Sequence, residues 1–174
     1  MRKVFIDCGG HRGQSIGWAK AYTDCNEFHS FEPNSELWRN FDTNLHKEAV
    51  WIYDGEVDFF VAEKVGGSTI VQGKKTANVD YDHPVRVPCI DLGKWIKNTF
   101  NKEDYIILKL NIEGAEYEVL RSMVNDGSIE YIDKLYAELH YKKLANFVGD
   151  EDDIVALVEP YVKIRNWNAK KLYK

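Results

Sequence analysis

Residues 2–14, RKVFIDCGGHRGQ, run an apolar stretch straight into a glycine-rich turn and out again into helix-forming sequence. Val4, Phe5 and Ile6 in succession read as a short strand buried on both faces, the pattern of a parallel sheet, closed by Gly9 and Gly10. Parallel strands are joined only by long crossovers, so this opening commits the chain to strand–helix–strand units. A helix is expected over residues 14–22, where Ile16, Trp18, Ala19 and Ala21 have helical spacing before Thr23, Asp24 and Asn26 break it.

The alternation continues. Residues 27–32 form a second strand that Pro33 ends, and Asn34 or Ser35 caps the next helix through Leu37, Trp38 and Phe41. Strands follow at 50–53 and 57–62, divided by the Asp54-Gly55 turn, then at 85–90, with a helix at 91–100. The most strand-like stretch, residues 105–111, precedes a helix carrying Ala115, Val119, Leu120 and Met123. A strand at 134–141 and a helix at 152–160 come next, and two short tail strands, 161–167 and 169–174, have the makings of a hairpin. The expected architecture is α/β: a mostly parallel sheet, helices on both faces, and one antiparallel strand near the C-terminus. Residues 63–84 are expected to be a long polar insert with little buried surface, containing Ser68, Thr69, Lys74 and Lys75.

At 174 residues the chain is expected to be one domain, 1–174, and its net charge of −5 argues against a role dominated by binding nucleic-acid phosphates. No apolar run approaches the roughly 20 residues of a membrane helix. Cys8, Cys25 and Cys89 lack CxxC spacing and read as reduced thiols. The first residues have no apolar signal core, so a cytoplasmic protein is expected.

Chemistry concentrates at strand ends. Asp7, Gly9 and Gly13 give DxGxxxG rather than the dinucleotide GxGxxG, with His11 in the turn. A carboxylate ahead of the glycines repels a pyrophosphate but accepts from an amine or hydroxyl, which favours S-adenosylmethionine over NAD. The plain alternative is a strand-to-helix turn using glycine for positive φ. Glu32, 25 positions after Asp7, ends the second strand where a carboxylate can hold a ribose diol. Lys109 and Asn111 share a strand face, with Glu113 and Glu116 just beyond. Glu116 can equally be a helix-capping residue and Lys109 an ion-pair partner. Glu138 and His140 share a face of the next strand, and His140 has the side chain best suited to act as a base near neutrality.

Taken in order, VFIDCGGHRGQS, SFEPNSELW, VRVPCIDLGKWI, DYIILKLNIEGAEYEVLRSM and LYAELHY resemble the FkbM family of S-adenosylmethionine-dependent methyltransferases. That family shows DxGAnxGxxS, fEPnp, a valine-proline strand before a short helix, lKxDxEGaExxvL and a late vExH. The resemblance spans residue 4 to about residue 141. It implies a Rossmann-like class I methyltransferase fold with a seven-stranded sheet, S-adenosylmethionine as cofactor, and O-methylation of a sugar, glycan or other small natural product. Asn111 stands where the family has aspartate, and an asparagine is neither a carboxylate base nor a good ligand for a divalent metal.

On this reading Asp7, Gly9, Gly10, Gly13 and Ser15 hold the methionine end of the cofactor. Glu32, with Pro33 and Asn34, holds the ribose, and Asp54, Gly55 and Glu56 border the adenine. The acceptor hydroxyl lies near Asn111, Glu113 and His140, with His140 as the leading base. Ser68, Thr69, Glu116 and Glu138 flank it, and no metal is expected. Because the first cofactor strand starts at Arg2, a minimal domain with an open acceptor face is expected, closed by a large substrate or by a second copy of the chain. Two other readings are a noncatalytic cofactor-binding scaffold and an RNA ribose methyltransferase, for which a Lys-Asp-Lys-Glu tetrad is expected.

Overall fold

The computed structural model describes residues 1–41, 43–64, 66–140, 144 and 151–167. β1 (Lys3–Cys8) leads through α1 (Gln14–Tyr22) to β2 (Glu27–Phe31), then through a short 3₁₀ turn (Ser35–Asn40) to β3 (Asn44–His46). β4 (Ala49–Trp51), β5 (Gly55–Phe59), β6 (Val85–Asp91) and α2 (Leu92–Thr99) follow. The last third holds β7 (Tyr105–Leu110), α3 (Glu116–Asn125), β8 (Lys134–Ala137), α4 (Glu151–Val158) and β9 (Ile164–Asn166).

Six strands make one sheet in the order β3-β2-β1-β7-β8-β9, and every neighbouring pair is parallel. The period-two alternation of the central strands decides what each face packs against. Val4, Ile6 and Cys8, with Ile106, Leu108 and Leu110, join the cluster that buries Leu92 and Ile96 of α2, Leu120 of α3 and Val158 of α4. Phe5 and Ile107 point the other way, onto Ile16 and Ala19 of α1. Burying each large aliphatic side chain of this kind contributes about 1.5–3 kcal/mol.

Asp7 and Lys109 are paired in register on β1 and β7 and follow the same alternation. Both are fully buried, and the Lys109 ammonium lies 2.8 Å from Asp7 Oδ1. Its remaining donors reach the carbonyls of Gly9 at 2.8 Å and Cys8 at 3.3 Å. One buried cation thus ties the two central strands to the glycine turn that follows β1.

The fold departs from the expected one at several points. The principal sheet has six strands, not seven, and β4, β6 and β5 form a separate three-stranded sheet. The antiparallel pairing expected near the C-terminus lies there instead, between β5 and β6, whereas β9 runs parallel to β8. The second tail strand, residues 169–174, falls outside the described residues. β3 went unread because Asn44, Leu45 and His46 offer a single apolar residue to the pattern.

The long insert also buries more than its polarity suggests. Thr69 and Lys74 are buried, bridges join Phe60 to Thr69 and Ala62 to Val79, and the Tyr81 hydroxyl accepts from the Lys74 amide at 2.6 Å. No helix among the described residues is long and apolar enough to cross a membrane.

Lys109→Met strands the Asp7 carboxylate and two carbonyls in the interior. Urea denaturation is expected to show a loss of about 3–5 kcal/mol, most of it recovered in the Asp7→Leu/Lys109→Met double variant, because an apolar pair leaves no buried charge.

Candidate functional site

The chain moves outward from β1 to β3 on one side of the sheet and from β7 to β9 on the other, so β1 and β7 flank a topological switch point. In open α/β sheets the crevice beyond the strand ends at such a point is where ligands bind. A cavity of about 340 Å³ opens there, walled by the turn after β1, the end of β2, the segment after β7 and the insert.

The glycines shape its floor. The amides of Gly9 and Gly10 both donate to Phe31 O, at 3.1 and 3.0 Å, which draws the first turn against β2. Gly9 has φ +82°, and a Cβ there would lie 2.0 Å from Asn111 O, so only glycine lets this turn approach the end of β7. Gly13, also left-handed at φ 76°, opens α1.

Glu32 joins two loops. One carboxylate oxygen accepts from the His11 amide and the other from the Asn34 amide, each at 2.8 Å. Burial raises its pKa to about 7, against the lowering effect of those two amides. Each oxygen retains a free lone pair for a ligand. Beside it the wall turns apolar, with Leu37, Ala49, Val50, Phe59 and Ile70.

Asn111 and Glu113 add polar groups to the lining. The Asn111 amide donates to Cys8 O at 3.1 Å, and its buried Oδ1 has no partner among the described residues. Glu113, at φ 58°, is held from both sides. The buried Lys74 ammonium pairs with its Oε2, and Thr69 Oγ1 donates to its carbonyl at 2.9 Å. On the other side His140 Nε2 lies 3.5 Å from Glu113 Oε1 and 3.5 Å from Glu138 Oε1, and its Nδ1 lies 2.9 Å from Glu116 Oε1. Glu116 in turn accepts from the Ile112 and Gly114 amides at 2.8 and 2.9 Å, so it braces the turn that presents Glu113. Burial alone would lower the His140 pKa, but the hydrogen bond to Glu116 and the contacts with Glu138 and Glu113 outweigh it and raise the pKa to about 9.

Most of the expected residues converge. Gly9, Gly10, Ser15, Glu32, Pro33, Asn34, Ser68, Thr69, Asn111 and Glu113 all line the cavity. Gly13 lies behind it as a shaping residue, and Asp7 lies beneath the wall, paired with Lys109. Asp54, Gly55 and Glu56 do not reach it: Asp54 pairs with Lys94 at 2.5 Å on the exposed side of β4 and β6, and Ala49 and Val50 occupy the wall instead. His140, 1% exposed, stands behind Glu113 with its proton held, which does not suit a neutral base. Glu116 and Glu138 are its partners there. His11, Gln14, Leu37 and Ile70 are wall residues outside the expected set. Only His11 carried a signal, a bulky residue set inside a glycine turn.

The raised His140 pKa fixes a pH dependence. The folded state binds the imidazole proton more tightly than the unfolded chain, so the stabilisation is complete below about pH 6.5 and is lost as pH rises to about 9. The melting temperature is expected to fall across that window, and the part of the slope due to this group is expected to vanish in His140→Gln.

No curated protein and no solved structure matches the chain. The family model described as the methyltransferase FkbM domain matches residues 7–163. That match takes in the glycine turn, Glu32, the insert and the Asn111 to His140 segment, and with them every lining residue of the cavity but Trp167. The chain belongs to the FkbM methyltransferase family.

Proposed function

We propose that this chain transfers the methyl group of S-adenosylmethionine to a hydroxyl of a sugar, glycan or other small natural product. The observation that carries the reading is the cavity at the β1–β7 switch point, whose lining holds Glu32 with free lone pairs, the Asn111 Oδ1 that has no partner among the described residues, and the Glu113 carboxylate. An acceptor-rich wall with an apolar slot beside it suits a cationic, donor-bearing nucleoside. S-adenosylmethionine meets that description: it has a ribose diol, an ammonium group and a sulfonium.

In this reading Glu32 accepts from the ribose hydroxyls, and Leu37, Ala49, Val50 and Ile70 cover the base. Gly9 and Gly10 bring backbone to the methionine end, beside Ser15. When bound, the cofactor supplies a methyl group on a sulfonium whose positive charge vanishes on transfer. The residues around it mainly position two reactants and exclude water. Asn111 and Glu113 face the reacting groups, and Ser68 and Thr69 wall the acceptor side. His140 acts as a positioning residue, its imidazolium and the Lys74 ammonium holding Glu113 between them.

Calorimetry with S-adenosylhomocysteine tests the cofactor half. Hydroxyls stabilise the ionised form of Glu32, so affinity is expected to rise about tenfold from pH 6 to pH 8 as a group with pKa about 7 ionises. Glu32→Gln is expected to bind weakly with no such rise. Radiolabelled methyl transfer to methyl glycosides tests the other half. Cofactor binding without turnover on any hydroxyl acceptor favours a scaffold, and transfer to RNA favours the ribose-methylating reading.

A further inference from the structure

The insert takes hold of Glu113 by its backbone as well as by its charge. Glu113 has φ 58°, a left-handed conformation that is strained for a side chain of this kind and persists only where the surroundings impose it. The peptide that follows it is gripped at both ends. Glu116 Oε2 accepts from the Gly114 amide at 2.9 Å, and Thr69 Oγ1 donates to the Glu113 carbonyl at 2.9 Å. The direction of the second bond is fixed, because Thr69 Oγ1 already accepts from the Val71 amide at 3.0 Å and has one proton to give.

Both groups that the insert brings to Glu113 are themselves held in place. Thr69 is paired with Phe60 through its amide, at 3.0 Å, and its carbonyl, at 2.8 Å, which roots it beside the end of β5. Lys74 is buried, and its ammonium donates to Gly67 O at 2.5 Å as well as to Glu113 Oε2, while its amide donates to Tyr81 Oη at 2.6 Å. Lys74 also bridges Leu144, which lies against the same turn: a Cβ on Gly114 would sit 3.0 Å from Leu144 Cδ2. The insert therefore meets the turn after β7 with a hydroxyl for the carbonyl and an ammonium for the carboxylate. Both land on the one strained residue.

We propose that docking of the insert completes the site: Thr69 and Lys74 are positioning residues that hold Glu113 in its left-handed conformation at the cavity wall, and Glu113 leaves that conformation when they are removed. The consequence for turnover rests on the methyltransferase reading, in which Glu113 faces the reacting groups. The competing account is that Glu116, which also accepts from the Ile112 amide at 2.8 Å, imposes the turn alone while the insert merely covers it.

The test reads the backbone of Glu113 in the full chain by nuclear magnetic resonance. The one-bond Cα–Hα coupling and the backbone carbon shifts separate positive from negative φ, and the amide signals of β1 and β7 report whether the fold is intact. Wild type and Thr69→Ser, which keeps the hydroxyl, are expected to show positive φ at Glu113, and Thr69→Val/Lys74→Met negative φ. With Glu32 and the glycine turn untouched, the double variant is expected to bind S-adenosylhomocysteine within about threefold of wild type. In methyl transfer to any methyl glycoside the wild type uses, it is expected to lose about 100-fold or more, the cost of a misplaced group. Positive φ at Glu113 in a folded double variant, negative φ in the wild type, undiminished turnover, or a loss of S-adenosylhomocysteine affinity as large as the loss of turnover overturns the assignment. If the double variant does not fold, Thr69→Val alone is read in the same way. If the wild type itself does not bind S-adenosylhomocysteine, the methyltransferase reading falls instead, and the coupling at Glu113 still decides between the insert and Glu116. Where no glycoside is methylated, that coupling and the binding comparison decide.

Discussion

The buried pair of Asp7 and Lys109 is the contact on which the rest depends. It joins the central strands at the point where the sheet changes direction, and the same ammonium holds the Cys8 and Gly9 carbonyls of the following turn. A charge inside a protein interior is costly unless an opposite charge lies beside it, so any rearrangement that parts β1 from β7 leaves both groups uncompensated. The glycine turn is fixed from below by Lys109 and from the side by Phe31 O, and Glu32 then ties it to the end of β2. The cavity floor is therefore built from strand ends and backbone, and its side chains are supported before any ligand arrives.

The roof has a different origin. The insert between β5 and β6 reaches the cavity because Thr69 and Lys74 bind the backbone and side chain of Glu113. A lysine in a polar stretch looks solvated in the sequence, and its partner lies 39 residues further on. Only the folded chain shows that the ammonium is buried, that it neutralises Glu113 from one side, and that His140 does so from the other. The positive charge on His140 is a consequence of Glu116, Glu113 and Glu138 surrounding it in the interior.

What the sequence disclosed, and what it withheld, follows from the range of the forces involved. Strands with continuous apolar runs, such as residues 4–6 and 105–108, and the helix from Gln14 to Tyr22 are local patterns and were read correctly. So were the strand-end positions of Glu32 and Asn111, because sheet topology delivers strand ends to one edge. β3 and the split into two sheets depend on pairings between distant, weakly patterned segments, and nothing local announces them. Asp54 lies outside the cavity lining for a similar reason: it pairs with Lys94, 40 residues away. The state of His140 is likewise tertiary: a strand-end histidine has the side chain of a base, and only the three carboxylates gathered around it hold its proton.

A crystal structure of the chain grown with S-adenosylhomocysteine tests the central claim most directly. The account predicts the ribose hydroxyls on Glu32, the base in the slot of Leu37, Ala49, Val50 and Ile70, and the sulfur facing Asn111 and Glu113. A ligand bound elsewhere, or a cavity at the β1–β7 switch point that stays empty at saturating ligand, would contradict it.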